Sequence, residues 1–327
     1  MRPILADVRL AANYVFHLAA VAKVGFDSEY SQRYLHTVIE SDRNFLIEHR
    51  HLLSFGSGSG SELVGVFLFL PSYLDFACAE EFSEYFRLLD AGCESGEFSR
   101  LFQHYSDRFE KLSSWISRRD YETELGAASN HRETVAKLGR LVLRNFSAYV
   151  SSVWPIERPK LLSVANAVSE HFAGRDPISE WERITGIRYE LNSFHASFVS
   201  AIGGGPNANS LSYDTVIFHH ERPFDYTVQL IQHEVGTHIL FQTMRRLADS
   251  ERYDWPVLYA AYECLAKFYN RILLGKNELA YQLPKFHQEE FLAIYEKLTE
   301  QSAEIGSEML LRSGIEMYLK RRTTDAS

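Results

Sequence analysis

Gln232-His233-Glu234-Val235-Gly236-Thr237-His238-Ile239 lies in a run, Phe224 to about Leu247, whose apolar residues recur with helical spacing. Two histidines bracket a glutamate, and Glu263 follows in the next helical run. A catalytic zinc needs such a set: three protein ligands, an open position for water, and a free carboxylate to take the proton. In the familiar His-Glu-x-x-His pattern the histidines stand about 40° apart around the helix. Here they stand at i and i+5, roughly 140° apart. The spacing therefore predicts a π-bulge between them, eased by Gly236. On this reading His233 and His238 are metal ligands and Glu234 is the general base.

Glu263 is the expected third ligand. Its setting, Ala261-Tyr262-Glu263-Cys264-Leu265-Ala266, is an apolar helical stretch in which an unpaired carboxylate is costly and a cation removes the cost. Upstream, Thr215-Val216-Ile217-Phe218-His219 reads as a strand, expected at a sheet edge where an extended peptide pairs through its backbone. His219, His220 and Arg222 follow as candidates for oxyanion or carboxylate binding, Arg222 favoured by its bidentate fork. Tyr259 and Tyr262 are candidate donors to the substrate, and His195 is read as structural.

Composition narrows the class. At 46% hydrophobic and 24% charged, the chain is globular. A net charge of −9 argues against a surface built for nucleic acid. Cys78, Cys93 and Cys264 have no short spacing, so neither a disulfide framework nor a cysteine metal site is expected. The longest apolar run, Leu63 to Leu70, is far too short for a membrane span, and a cytoplasmic protein is expected.

The patterns predict helices near 3–23, 28–50, 78–91, 97–117, 130–153, 160–172, 177–184, 256–274, 286–300 and 303–321. Ser28 or Asp27 is the expected N-cap of the second, and Asn130-His131-Arg132-Glu133 reads as a capping box. Strands are expected at Ile187 to Leu191, Ser197 to Ile202 and Thr215 to His219, with glycine loops at 55–61 and 203–207. Two prolines in Trp154-Pro155-Ile156-Glu157-Arg158-Pro159 suggest dividing a helical region, 1–155, from a catalytic region, 156–327. The expected fold is α+β and mostly helical, a zincin-like catalytic core with a small sheet preceding the active-site helix.

His-Glu-Val-Gly-Thr-His at 233–238, with Tyr-Glu-Cys-Leu-Ala at 262–266, resembles the tyrosine/glutamate carboxypeptidase family, which includes microtubule-associated enzymes. That family carries His-Glu-Ile-Gly-Thr-His followed by Glu-Gly-Leu-Ala. The resemblance covers about residues 186–275. It implies zinc on His233, His238 and Glu263, catalysis by Glu234, and removal of a residue from a peptide's C-terminus. Cys264 stands where the family has glycine, and Leu240 to Met244 lacks the usual Arg and Asn. An acidic chain suits the acidic tail of tubulin poorly, so that substrate is not expected.

The leading expectation is thus a zinc metallocarboxypeptidase acting on a peptide or small amino-acid conjugate, with Arg222, His219 and Tyr262 on the substrate. A zinc endopeptidase or amide hydrolase, and a non-catalytic metal-stabilised binding protein, are the alternatives. The intact Glu234 speaks against the last, since a structural site has no use for a base.

Overall fold

A computed structural model describes residues 2–24, 28–56, 59–112, 121–203, 208–250, 252–302 and 305–325. The protein is mostly helical with a small mixed sheet, as the α+β reading expects. In chain order the elements that matter here are β1 (Ile4–Asp7), α1 (Leu10–Val21), α2 (Ala79–Ser95), α3 (Arg132–Ser152), α4 (Trp154–Phe172) and α5 (Pro177–Thr185). They continue with β2 (Phe194–Val199), β3 (Ala208–Ser212), β4 (Thr215–His219), α6 (Phe224–Asp249), α7 (Trp255–Leu274), α8 (Gln288–Gln301) and α9 (Ser307–Asp325). None of the described helices is long and apolar enough to cross a membrane.

By contacts the chain forms two compact units, both discontinuous. The first comprises Met1–Ile4, Phe172–Phe194 and Arg222–Ser327; the second comprises Leu5–His171 and His195–Glu221. The exchange points do not fall at 155/156. Trp154 to Pro159 instead opens α4, which accommodates Pro159 within it.

In the first unit, α6 packs mainly on α7, and α7 on α8. Buried residues cover nearly every face of α6 from Thr227 to Met244, so this helix belongs to the interior rather than to an amphipathic surface. Helix α7 begins with Pro256 in its first turn and ends at Gly275, whose φ of +61° suits a residue without Cβ. The strand expected at Ile187–Leu191 is irregular. Its backbone is satisfied by side chains instead: Tyr189 N donates to Glu182 Oε1 at 2.7 Å, and Arg2 Nη1 donates to Tyr189 O at 3.1 Å.

In the second unit, α1, α2 and α3 enclose an aromatic-rich core around Tyr14, Phe82 and Tyr149. The sheet order is β1-β2-β4-β3. Strand β4 pairs parallel with β2, Val216 opposite Ala196, and antiparallel with β3, Ile217 opposite Asn209. It is an inner strand, not the expected edge; both its sides are already bonded, so no peptide can add to it. The first residues are strand where a helix was expected, because Ile4–Asp7 has a place beside β2.

Ser28 caps the following turn in a reciprocal capping box with Ser31, whereas Asp27 lies outside the described residues. His131 is the N-cap of α3 but makes no side-chain bond there, so the second expected capping box is not formed. The glycine loops at 55–61 and 203–207 fall partly outside the described residues.

Candidate active site

His233, Glu234 and His238 lie on α6 and Glu263 on α7, all in the first unit. The His233 Nε2 is 3.1 Å from Glu263 Oε2, a contact joining residues 30 positions apart. His233 is 1% exposed and Glu263 8%, so the pair is buried. The other ring nitrogen, Nδ1 of His233, has no hydrogen-bond partner among the described residues. The imidazole packs against the Tyr281 ring, tilted 52° to it with centroids 5.0 Å apart.

Glu234 is half-buried. Burial, reinforced by the negative charge of Glu263, pushes its carboxyl up to about 8, and a bond from Thr237 opposes that rise. Thr237 Oγ1 lies 3.3 Å from Glu234 Oε2 and donates to its main-chain oxygen at 2.8 Å. Two carboxylates and an imidazole thus share a buried space.

The expected π-bulge is not present. Helix α6 is α-helical throughout its length, and the π-helical turn of the described chain occurs at Gly65–Phe69 in the second unit. Gly236 has a different reason: a Cβ there would stand 2.1 Å from Cη2 of Trp181, so α5 lays its indole directly on the motif helix. His238, 0% exposed, meets the ring of Phe194 edge-on at 5.2 Å.

Among the described residues no group of three His, Cys, Asp or Glu side chains stands in an arrangement that could hold a metal ion. His233 and Glu263 nevertheless fit one as a pair. Two ligands about 2.0–2.1 Å from a tetrahedral zinc are roughly 3.4 Å from each other, close to the observed 3.1 Å. Their chemistry, one imidazole and one carboxylate beside a second acid, Glu234, is also that of a catalytic zinc site.

The substrate candidates divide. Arg222 is exposed, in the first unit, with its guanidinium 5.6 Å from the centre of the Tyr226 ring. Tyr226 lies 6.3 Å from Tyr281, so aromatic contacts run from Arg222 to His233. Tyr262 is committed elsewhere: its hydroxyl donates to Thr237 O at 2.5 Å, which staples α7 to α6. Tyr259 bonds Glu263, whose charge, together with burial, raises its phenol. His219 belongs to the second unit, where it and His220 flank Glu221 at 3.9 and 3.7 Å. His195, in that unit too, is 3.5 Å from Asp7.

Sequence reasoning missed Trp181, Tyr226 and Tyr281. Each reaches the site through tertiary packing, and no spacing within Leu279-Ala280-Tyr281-Gln282 marks Tyr281 as its neighbour. No family model, no curated protein and no solved structure matches the chain.

Proposed function

We propose that this chain is a zinc-dependent metallocarboxypeptidase that removes the C-terminal residue of a peptide or small amino-acid conjugate. One observation carries the reading: the buried His233–Glu263 contact at 3.1 Å, with the Glu234 carboxyl raised to about 8 beside it. His233 and Glu263 would hold the ion, and His238 would complete the set if α6 widens by a residue between the two histidines when metal binds. Zinc supplies acidification of a water molecule and polarisation of the scissile carbonyl.

The chain's own residues do the rest. A carboxylate beside a bound water can accept its proton and return it to a leaving amine, so Glu234 would serve as base and then acid. Thr237 steadies it, and its partial exposure lets a substrate reach it. Burial excludes bulk water from His233 and Glu263, which strengthens every charge interaction there. Arg222 would read the free terminal carboxylate through its two-pronged donor, and the aromatic contacts linking it to His233 support that role. A zincin-like core, a cytoplasmic location and a peptide partner rather than nucleic acid or membrane belong to the same reading.

The test is metal and turnover together. Purified protein should carry about one zinc per chain, and Glu263→Gln should lower its zinc affinity, a neutral amide being a poorer ligand. Glu234→Gln should keep the zinc and lose about 10²–10⁴-fold in rate. Amidating the C-terminus of a good substrate should abolish cleavage. Folded protein that takes no zinc overturns the reading, and equal cleavage of free and amidated peptides moves it to an endopeptidase or amidase.

A further inference from the structure

Four buried polar side chains of the first unit converge on the segment that follows α7. Lys267 is 3% exposed, and its ammonium donates to three neutral oxygens: Tyr281 O at 3.0 Å, Gln282 Oε1 at 3.1 Å and Gln288 Oε1 at 2.7 Å. The same ammonium stands 5.3 Å from the centre of the Tyr281 ring. Gln288 Oε1 also accepts from Leu283 N at 2.8 Å. Gln229 Oε1 accepts from Ala280 N at 2.7 Å, and Asn270 Nδ2 donates to Gln229 O at 2.9 Å and to the Tyr281 hydroxyl at 3.1 Å.

Gln229 lies one helical turn before His233, and Lys267 one turn after Glu263. The network therefore grips both ligand helices and holds Tyr281 between them. Burying an ammonium is costly unless it is hydrogen-bonded, and here three bonds to neutral oxygens around Tyr281 offset that cost. What these bonds fix is the ring that packs against His233.

A histidine ligand normally has its plane set by a hydrogen bond from its second nitrogen to a carboxylate or carbonyl. His233 Nδ1 makes no such bond among the described residues. We infer that Tyr281 is a positioning residue for His233, its tilted ring doing by packing what that bond does elsewhere, and that Lys267 holds Tyr281 in place. The role rests on the zinc reading above for its purpose, but the positioning itself exists without metal.

The experiment has a metal-free arm and a zinc arm. In the metal-free protein, the His233 ring Cε1–H should show one sharp resonance carrying a ring-current shift from Tyr281. Tyr281→Leu should abolish that shift, Lys267→Met should split or broaden the resonance, and Tyr281→Phe should preserve it. In the zinc arm, chelator competition should find affinity lowered about 10–100-fold in Tyr281→Leu and Lys267→Met, with Tyr281→Phe close to the parent. Circular dichroism checks that each variant is folded, and Tyr281→Leu alone decides the matter should Lys267→Met not fold. Unchanged His233 resonances in folded Tyr281→Leu overturn the inference whether or not zinc binds. A parent protein that takes no zinc, yet shows the resonance changes, sinks the proposed function and leaves the positioning intact.

Discussion

His17 and His233 are both buried imidazoles, and they differ in what surrounds their nitrogens. In the second unit, His17 Nδ1 meets the Tyr30 hydroxyl at 3.0 Å and Nε2 meets Thr37 Oγ1 at 3.1 Å. The rings of Tyr30, Tyr34 and Tyr149 enclose it, and burial lowers its pKa to about 3. It is a neutral histidine with both nitrogens satisfied. In the first unit, His233 touches a carboxylate on one side, has no bond on the other among the described residues, and neighbours a second acid pushed up to about 8. A satisfied polar cluster is scaffolding; a cluster in conflict is where a ligand can gain free energy by resolving it.

The widest gap between the two should appear on truncation. His17→Ala strands the Tyr30 hydroxyl, takes one of two partners from Thr37 Oγ1 and opens a cavity, so a loss of about 3 kcal/mol is expected. His233→Ala removes a ring that was only half satisfied and should cost about 1 kcal/mol in metal-free protein. Urea denaturation measures both, and equal losses would erase the contrast.

Gly236→Ala comes next. The added methyl would meet the buried Trp181 indole, so overpacking should cost about 1–3 kcal/mol, read as a lowered melting temperature. A stable Gly236→Ala protein would mean that α5 does not fix the motif helix.

Effects of opposite sign are expected from pH. The folded pKa of Glu234 is raised, so its contribution to metal-free stability is fully present below about 4.5 and is lost as pH rises through about 8. His17 is depressed, so its contribution is present above about 6.5 and is lost as pH falls toward about 3. Glu234→Gln should flatten the fall in stability between about pH 4.5 and 8 and leave the rise due to His17, between about pH 3 and 6.5, in place. The partial exposure of Glu234 moderates the size of its effect.

Tyr262→Phe should be the mildest, about 1 kcal/mol, because it removes one hydrogen bond to Thr237 O. A large rise in KM with unchanged stability would return Tyr262 to the substrate, as the sequence reading had it.

Much of the first unit is legible from local pattern. Helices α6 and α7 begin and end close to their expected bounds, because apolar spacing, Pro256 and Gly275 are local signals. Strand β4 has the bounds read from Thr215 to His219, but its inner position depends on β2 and β3, which no local signal conveys. Strand β1 was invisible for the same reason: its partner lies far along the chain. Gly236 was legible as unusual but not for its cause, since Trp181 is distant in sequence. Lys267 and Tyr281 gave no signal, because a buried lysine in an apolar helix is recognisable only once its three acceptors are in place.

Because each unit is assembled from separated stretches, ribosomal order bears on folding. Arg2 Nη1 donates to Glu182 Oε1 at 2.7 Å, and Arg2 N to Asp176 Oδ2 at 3.1 Å. At about 5–20 residues per second, Arg2 is made roughly 10–40 s before Glu182. Nor can the second unit close until residues 195–221 have followed. No single cut in the chain releases either unit whole, so a fragment carrying α6 and α7 alone would lack the N-terminal residues that finish its own unit.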